Sequence, residues 1–273
     1  MHKQVIVNGV SLTYLEQGQG VPVVFVHGAV GDSRAWQFQG IEAAEPYRYI
    51  ALNQRYFGAA PWSDTGAKFS AATHVDDLAA FIRGLGSGPV NLVGWSYGGA
   101  VSLILAVKHP ELISSAFLFE PALGSVVTDP ADAEILAQDR KDMFAQCAVA
   151  VKAGDYATAV RLLVDGVTAV PGTFDAFAPE MRTVLIENAR VLPLMFAAPP
   201  PPLGTCAQLA QIKVPVAIAL GDLTRPFYRV IAEAASRCIP GSLLIKIPQA
   251  RHLWPTQDPS AFNEVLLGFL RSN

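Results

Sequence analysis

The stretch Val90-Asn-Leu-Val-Gly94-Trp95-Ser96-Tyr97-Gly98-Gly99-Ala100 decides how this sequence is read. It begins as an apolar, β-branched run and, past the glycines, continues as a helix-length segment up to His109-Pro110. A serine set between glycines at Gly94 and Gly98, after a strand and before a helix, is the pattern of a sharp bend that carries a nucleophile. The physical need is room. Such a bend leaves no space for side chains at Gly94 and Gly98, while Ser96 is pushed outward with its Oγ exposed. The helix that follows aims its amino end at the same point, so the Tyr97 amide becomes available to a developing oxyanion.

Outward from this bend, short strand-like runs recur and many are followed by amphipathic segments. They are Gln4–Val7, Ser11–Glu16, Pro22–Val26, Tyr47–Leu52, Val90–Val93, Ala116–Phe119, Val214–Leu220 and Leu243–Ile247. Asn8-Gly9 between the first two predicts a hairpin. The later runs are apolar throughout, as expected of parallel strands covered by helices on both faces. The region from Pro121 to about Gln211 holds no convincing strand and reads as helical: Asp132 to Val151 stopping at Gly154, Tyr156 to Val164 after the capping candidate Asp155, and Glu180 to Arg190 after Pro179. Pro199 to Pro202 then makes a stiff return. The 273 residues therefore divide into a core of 1–124 and 206–273 and a helical cap of 125–205.

Pro22-Val-Val-Phe-Val-His27-Gly28-Ala29 and the Ser96 bend together resemble the α/β-hydrolase family, over nearly the whole length of the chain. The resemblance implies an α/β fold with a mostly parallel eight-stranded sheet, helices on both faces and a helical cap. It also implies Ala29 as a second oxyanion donor beside Tyr97, with Gly28 allowing the close turn and His27 packed beneath the loop as a structural residue. Asn53-Gln-Arg55-Tyr56-Phe57-Gly58 stands where many members carry Asp-x-Arg-Gly-x-Gly, a departure that bears on loop shape.

A serine hydroxyl needs a base within hydrogen-bond reach and a third group to hold that base in its productive tautomer. Of the five histidines, His2 is terminal, His74 begins a helix over Asp76–Leu85, and His109 ends the helix after the bend, so each has a solvated or capping reading. His252 follows the last strand, ahead of a closing helix over Ser260–Leu270, and matches the family's histidine loop. The acid has two candidates. Members of the family usually carry it three residues past a glycine after the seventh strand, but here Gly221-Asp222-Leu223-Thr224 puts threonine in that slot. Glu120 ends an otherwise apolar strand, where burial is costly without a partner and an imidazolium would supply one. Lactonases of the zearalenone-degrading type place a glutamate there. Glu120 is the preferred acid and Asp222 the alternative.

All four tryptophans, Trp36, Trp62, Trp95 and Trp254, follow strand ends on the side where an open α/β sheet binds ligands. With Gly28, they predict a pocket for a hydrophobic small molecule, Trp95 and Trp254 foremost, closed by Met143, Phe144, Met195 or Phe196. Tyr97, Phe57 and Phe227 are candidates to join it. Arg55, Arg225 and Arg251 read as surface ion pairs. The expected activity is a serine hydrolase cleaving a carboxylic ester or lactone through an acyl-enzyme. A C–C bond hydrolase or cofactor-free perhydrolase on the same triad is an alternative, and a non-enzymatic small-molecule receptor is another.

Composition excludes other classes. With 51% apolar residues, 16% charged and a net charge of −3, disorder and nucleic-acid binding are not expected. No dinucleotide fingerprint or zinc-ligand cluster is present, so no cofactor and no metal are expected. The uncharged stretches Gly84–Val107 and Val191–Ile212 are broken by glycine and proline and predict no membrane span. The N-terminal residues show no signal-peptide pattern, and Cys147, Cys206 and Cys238 read as reduced thiols, so a cytoplasmic location is expected.

Overall fold

The computed structural model describes residues 2–39, 46–201 and 203–273. Its strands are β1 (His2–Val7), β2 (Val10–Gly18), β3 (Val21–Val26), β4 (Tyr47–Leu52), β5 (Val90–Trp95), β6 (Ile113–Phe119), β7 (Val216–Gly221) and β8 (Leu243–Ile247). They form one eight-stranded sheet in the order β1-β2-β4-β3-β5-β6-β7-β8. Asn8 and Gly9, both with positive φ, turn β1 back on β2. β2 also pairs antiparallel with β4, and every later neighbour is parallel. The parallel strands β3, β5 and β6 bury nearly every residue, which is why their sequences do not alternate apolar with polar.

The helices are α1 (Ala71–Leu85), α2 (Tyr97–Lys108), α3 (Pro130–Lys152), α4 (Tyr156–Thr168), α5 (Thr173–Ala176), α6 (Pro179–Asn188), α7 (Leu192–Ala197), α8 (Cys206–Leu209), α9 (Pro226–Cys238), α10 (Trp254–Gln257) and α11 (Pro259–Arg271). Local chemistry sets their limits. Ser70, Asp129 and Asp155 accept hydrogen bonds from first-turn amides of α1, α3 and α4, and Gly86 closes α1 in the left-handed conformation. The segment between β6 and β7 contributes α3 to α8 and no strand among the described residues. We refer to its helices as the cap, with the limits 125–205 as a proposed unit. Pro202, the end of the expected polyproline return, lies outside the described residues.

The cap is tied to the core by buried polar contacts. Asn188 donates to Asp32 Oδ2 at 2.8 Å and accepts from the Gly58 amide at 2.6 Å, joining α6 to the loops after β3 and β4. Asp139 of α3 accepts from Arg225 Nε and from the Phe227 amide, both at 3.0 Å, and so fixes the first turn of α9.

The structure corrects two expectations. Cys206 and Cys238 form a disulfide, and only Cys147 remains a free, buried thiol. The two partners are 32 residues apart in sequence, a separation without a local signature, and meet because α8 packs on α9. With two of the three cysteines bridged, the cysteines no longer point to a reducing compartment. Among the described residues no helix is long and apolar enough to cross a membrane. His74 is not solvated: it is buried on α1, held between the Tyr97 hydroxyl at 2.6 Å and the Arg55 carbonyl at 3.1 Å.

Candidate active site

Parallel strands bring their carboxyl ends to one edge of the sheet, and the predicted site residues collect there. Ser96 follows β5, Gly28 and Ala29 follow β3, Glu120 follows β6, and His252 lies beyond β8. The bend at Ser96 has the conformation its sequence requires, with φ 55° and ψ −115°. The crowding is measurable. A Cβ on Gly98 would stand 2.2 Å from the Val26 carbonyl oxygen, and one on Gly94 would stand 2.7 Å from Ser102 Oγ. Val30 (φ 51°) and Glu120 (φ 45°) share positive φ with Ser96, so strained backbone is concentrated at the ends of β3, β5 and β6. Such strain persists only where surrounding structure enforces it.

Glu120 is fully buried. Its Oε1 accepts from the Gly221 amide at 2.9 Å, and its Oε2 lies 2.6 Å from His252 Nδ1. A carboxylate can only accept, so Nδ1 carries the proton of this bond and Nε2 is left as the basic nitrogen. Asp222 stands apart: it is exposed, and the hydrogen bond at that position runs from its backbone N–H to the Ile247 carbonyl. Thr224, in the family's usual acid slot, has a buried hydroxyl without a partner among the described residues.

Tyr97 opens α2, so its N–H belongs to the unpaired first turn of the helix. The loop that carries Ala29 crosses close over the serine, since a Cβ on Gly28 would lie 3.3 Å from Ser96 Cβ. Trp95 donates its indole N–H to the His252 carbonyl at 2.9 Å, which ties the histidine loop to the residue before the serine. Trp254 is core, packed between Phe119 and Phe262, and Trp36 is likewise core against Phe25 and Phe262. Trp62 lies under the Arg190 guanidinium. Of the expected lid residues, Phe144 reaches Phe196 and Phe227, while Met143 is buried within the cap. A cavity of about 870 Å³ opens between Phe38, Phe177, Met181 and Thr256, and Gly28, Trp95 and Trp254 do not line it.

The remaining polar groups support this end of the sheet. His27 is fully buried, with Nδ1 at 2.8 Å from the Gly28 carbonyl and Nε2 accepting from the Gln54 amide; burial lowers its pKa to about 4. Burial likewise lowers His74 to about 3, so both imidazoles are neutral. Since the Arg55 carbonyl only accepts, His74 donates from Nε2 and accepts a hydrogen bond from the Tyr97 hydroxyl on Nδ1. Arg55 pairs with Asp77 in a buried two-pronged ion pair, not on the surface. Arg225 pairs with Asp139, and Arg251 donates to the carbonyls of Thr168 and Leu223. Asn53 links the Ser33 amide to Thr13, and Tyr56, standing where the family pattern has glycine, keeps a glycine-like φ of 73°. Among the described residues no cluster of three metal-ligating side chains occurs.

One residue at the centre escaped the sequence reading. Tyr228, in the first turn of α9, stacks flat on the His252 ring, with centroids 3.7 Å apart and planes at 11°. The available signal was its place directly beside Phe227, at the start of the helix after the seventh strand, where a first turn overhangs the sheet edge.

Residues 21–170 match the alpha/beta hydrolase fold family. The 2-(acetamidomethylene)succinate hydrolase of Mesorhizobium japonicum is 25% identical, over 98% of this chain and 94% of its own. Two solved structures share the fold. Est816, an N-acyl homoserine lactone degrading enzyme, has a TM-score of 0.75 at 24% identity and covers 98% of this chain and 100% of its own. A thermophilic esterase from Thermogutta terrifontis has a TM-score of 0.74 at 22% identity, covering 100% and 98%. With the strand order, the serine bend and a match that runs from β3 to the end of α4, this chain belongs to the alpha/beta hydrolase fold family.

Proposed function

We propose that this protein is a serine hydrolase that cleaves a carboxylic ester or lactone of a hydrophobic small molecule. The observation that carries the reading is the 2.6 Å contact between Glu120 Oε2 and His252 Nδ1, which leaves Nε2 free to take a proton at the end of the sheet that presents Ser96. In this reading His252 removes the Ser96 proton as Oγ attacks the carbonyl carbon, and the amides of Tyr97 and Ala29 stabilise the oxyanion. Glu120 stabilises the imidazolium, which then returns the proton to the leaving oxygen. Water, deprotonated by His252, releases the acyl group and restores Ser96.

Apolar rings near the site, among them Phe57, Phe69, Phe144 and Phe227, support a hydrophobic substrate. The names of the similar proteins, a hydrolase, an esterase and a lactone-degrading enzyme, support acyl chemistry. The receptor alternative drew its motive from the threonine in the acid slot. Glu120 on the histidine removes that motive. The test is labelling by a fluorophosphonate together with burst hydrolysis of a p-nitrophenyl ester and a matched lactone. Wild type is expected to label at Ser96 and to turn over. Ser96→Ala is expected to do neither, and full turnover by Ser96→Ala overturns the reading.

A further inference from the structure

The His252 imidazole is held from three directions. Glu120 Oε2 meets Nδ1 at 2.6 Å, Trp95 stands tilted beside the ring with centroids 5.9 Å apart, and Tyr228 covers one face at 3.7 Å and 11° from parallel. A hydrogen bond at Nδ1 alone leaves the imidazole free to turn about the line of that bond, whereas a ring laid flat on its face fixes its plane. Tyr228 is 2% exposed and His252 3%, so the stack is shielded from water. Its position is built, not incidental. Asp139 of the cap holds the first turn of α9 through the Phe227 amide and Arg225, and Phe227 packs edge-on against both Phe144 and Tyr228. The segment after β7, whose Thr224 carries no charge, thus meets the base with an aromatic face instead of a carboxylate.

We propose that Tyr228 is a positioning residue for the reaction: its ring fixes the plane of His252, and its π face stabilises the imidazolium that forms when this base takes a proton. The inference rests on the reading of Ser96 and His252 as nucleophile and base.

The face of an aromatic ring is electron-rich and attracts a cation laid against it, most strongly where water is excluded. Neutral imidazole in the resting enzyme gains little from that attraction, and the imidazolium gains more. The contact therefore strengthens as the proton arrives, which is the condition for accelerating a step. His252 becomes charged twice in a turnover, on taking the Ser96 proton and again on taking the proton of the attacking water, so acylation and deacylation both draw on the ring. Burial raises the Tyr228 phenol well above its ordinary pKa, so the ring is neutral and acts through its π charge and not as a phenolate. The neighbouring cation Arg225 is paired with Asp139.

Fluorination of the ring tests this, because fluorine withdraws π charge and hardly alters the ring's size. Steady-state hydrolysis of a p-nitrophenyl ester is compared across wild type, Tyr228→Phe and phenylalanines at position 228 that carry one, two and three fluorines. Tyr228→Phe is expected to stay within about threefold of wild type, and the fluorinated series to fall stepwise by about tenfold in all, the size of a cation–π contact shielded from water. Because the imidazolium forms in both half-reactions, kcat and kcat/KM are expected to fall together with KM little changed, while the melting temperature stays level across the series. A ring that serves only as packing gives rates that do not change with fluorine content, and that result overturns the proposal. If Tyr228→Phe does not fold, 3-fluorotyrosine at position 228, which keeps the hydroxyl, is expected to lower kcat and kcat/KM by about twofold; unchanged rates overturn the proposal. Failure of wild type to form any adduct on Ser96 overturns the serine-hydrolase reading and this proposal with it, whereas a Ser96 adduct with a flat fluorine series overturns this proposal alone.

Discussion

Replacing Glu120 by glutamine is the sharpest perturbation of the site, because the buried carboxylate divides its two oxygens between the Gly221 amide and His252 Nδ1. An amide has one oxygen and one NH2, and neither orientation satisfies both neighbours. With the oxygen toward Gly221, the NH2 faces Nδ1 and forces the imidazole to carry its proton on Nε2, the nitrogen that must accept from serine. With the NH2 toward Gly221, donor meets donor. The change also removes the charge that stabilises the imidazolium. An ion pair at about 4 Å in an effective dielectric of about 20 is worth about 4 kcal/mol, or roughly a thousandfold in rate, and the wrong tautomer carries the loss toward about 10⁴ in the triad template. Steady-state hydrolysis of a p-nitrophenyl ester is expected to show kcat reduced by about 10³–10⁴ with a small change in KM, while Asp222→Asn stays within about twofold. Retention of more than about a tenth of wild-type kcat by Glu120→Gln, or an equal loss in Asp222→Asn, refutes the assignment of the acid.

Other consequences are equally open to measurement. Gly98→Ala places a Cβ 2.2 Å from the Val26 carbonyl oxygen and 2.5 Å from that of His27, backbone atoms that cannot swing aside. We expect it to cost about 3 kcal/mol or more in urea unfolding; a loss under about 1 kcal/mol argues against the crowding at the bend. His27 and His74, lowered by burial to about 4 and about 3 from 6.5, act on stability in one direction. Above about pH 6.5 both states are neutral at these sites, and below it the unfolded chain binds protons that the folded chain refuses. Stability should therefore fall as pH drops from about 6.5 toward 4, by about 1.4 kcal/mol per pH unit for each histidine. Denaturation at pH 7 and pH 5 should show this, with a shallower slope in His74→Gln; a flat profile contradicts the buried neutral state. Reduction of the Cys206–Cys238 bridge opens a loop of 32 residues, worth about 3.7 kcal/mol in the chain-entropy account. A melting temperature unchanged by reductant contradicts it.

The sequence by itself determined the sheet and the bend. Uninterrupted apolar runs, the Asn8-Gly9 turn and the glycines around Ser96 are local features, and they set strand type, hairpin and strand-to-helix junction without reference to distant residues. Within the cap, Asp155 ahead of α4 and Gly154 after α3 were readable for the same reason. What the sequence did not contain is which residues meet after the chain has crossed the sheet several times. Glu120 and Asp222 were rivals on paper, and tertiary structure puts one against His252 and leaves the other exposed, because the histidine loop returns over the end of β6. The bridge between Cys206 and Cys238 and the burial of His74 depend on helices that pack across intervening elements. The stacking of Tyr228 on His252 depends on a helix start that Asp139 of the cap pins in place. Periodicity reports which face of an element is buried, whereas the partner on that face is a long-range outcome of packing.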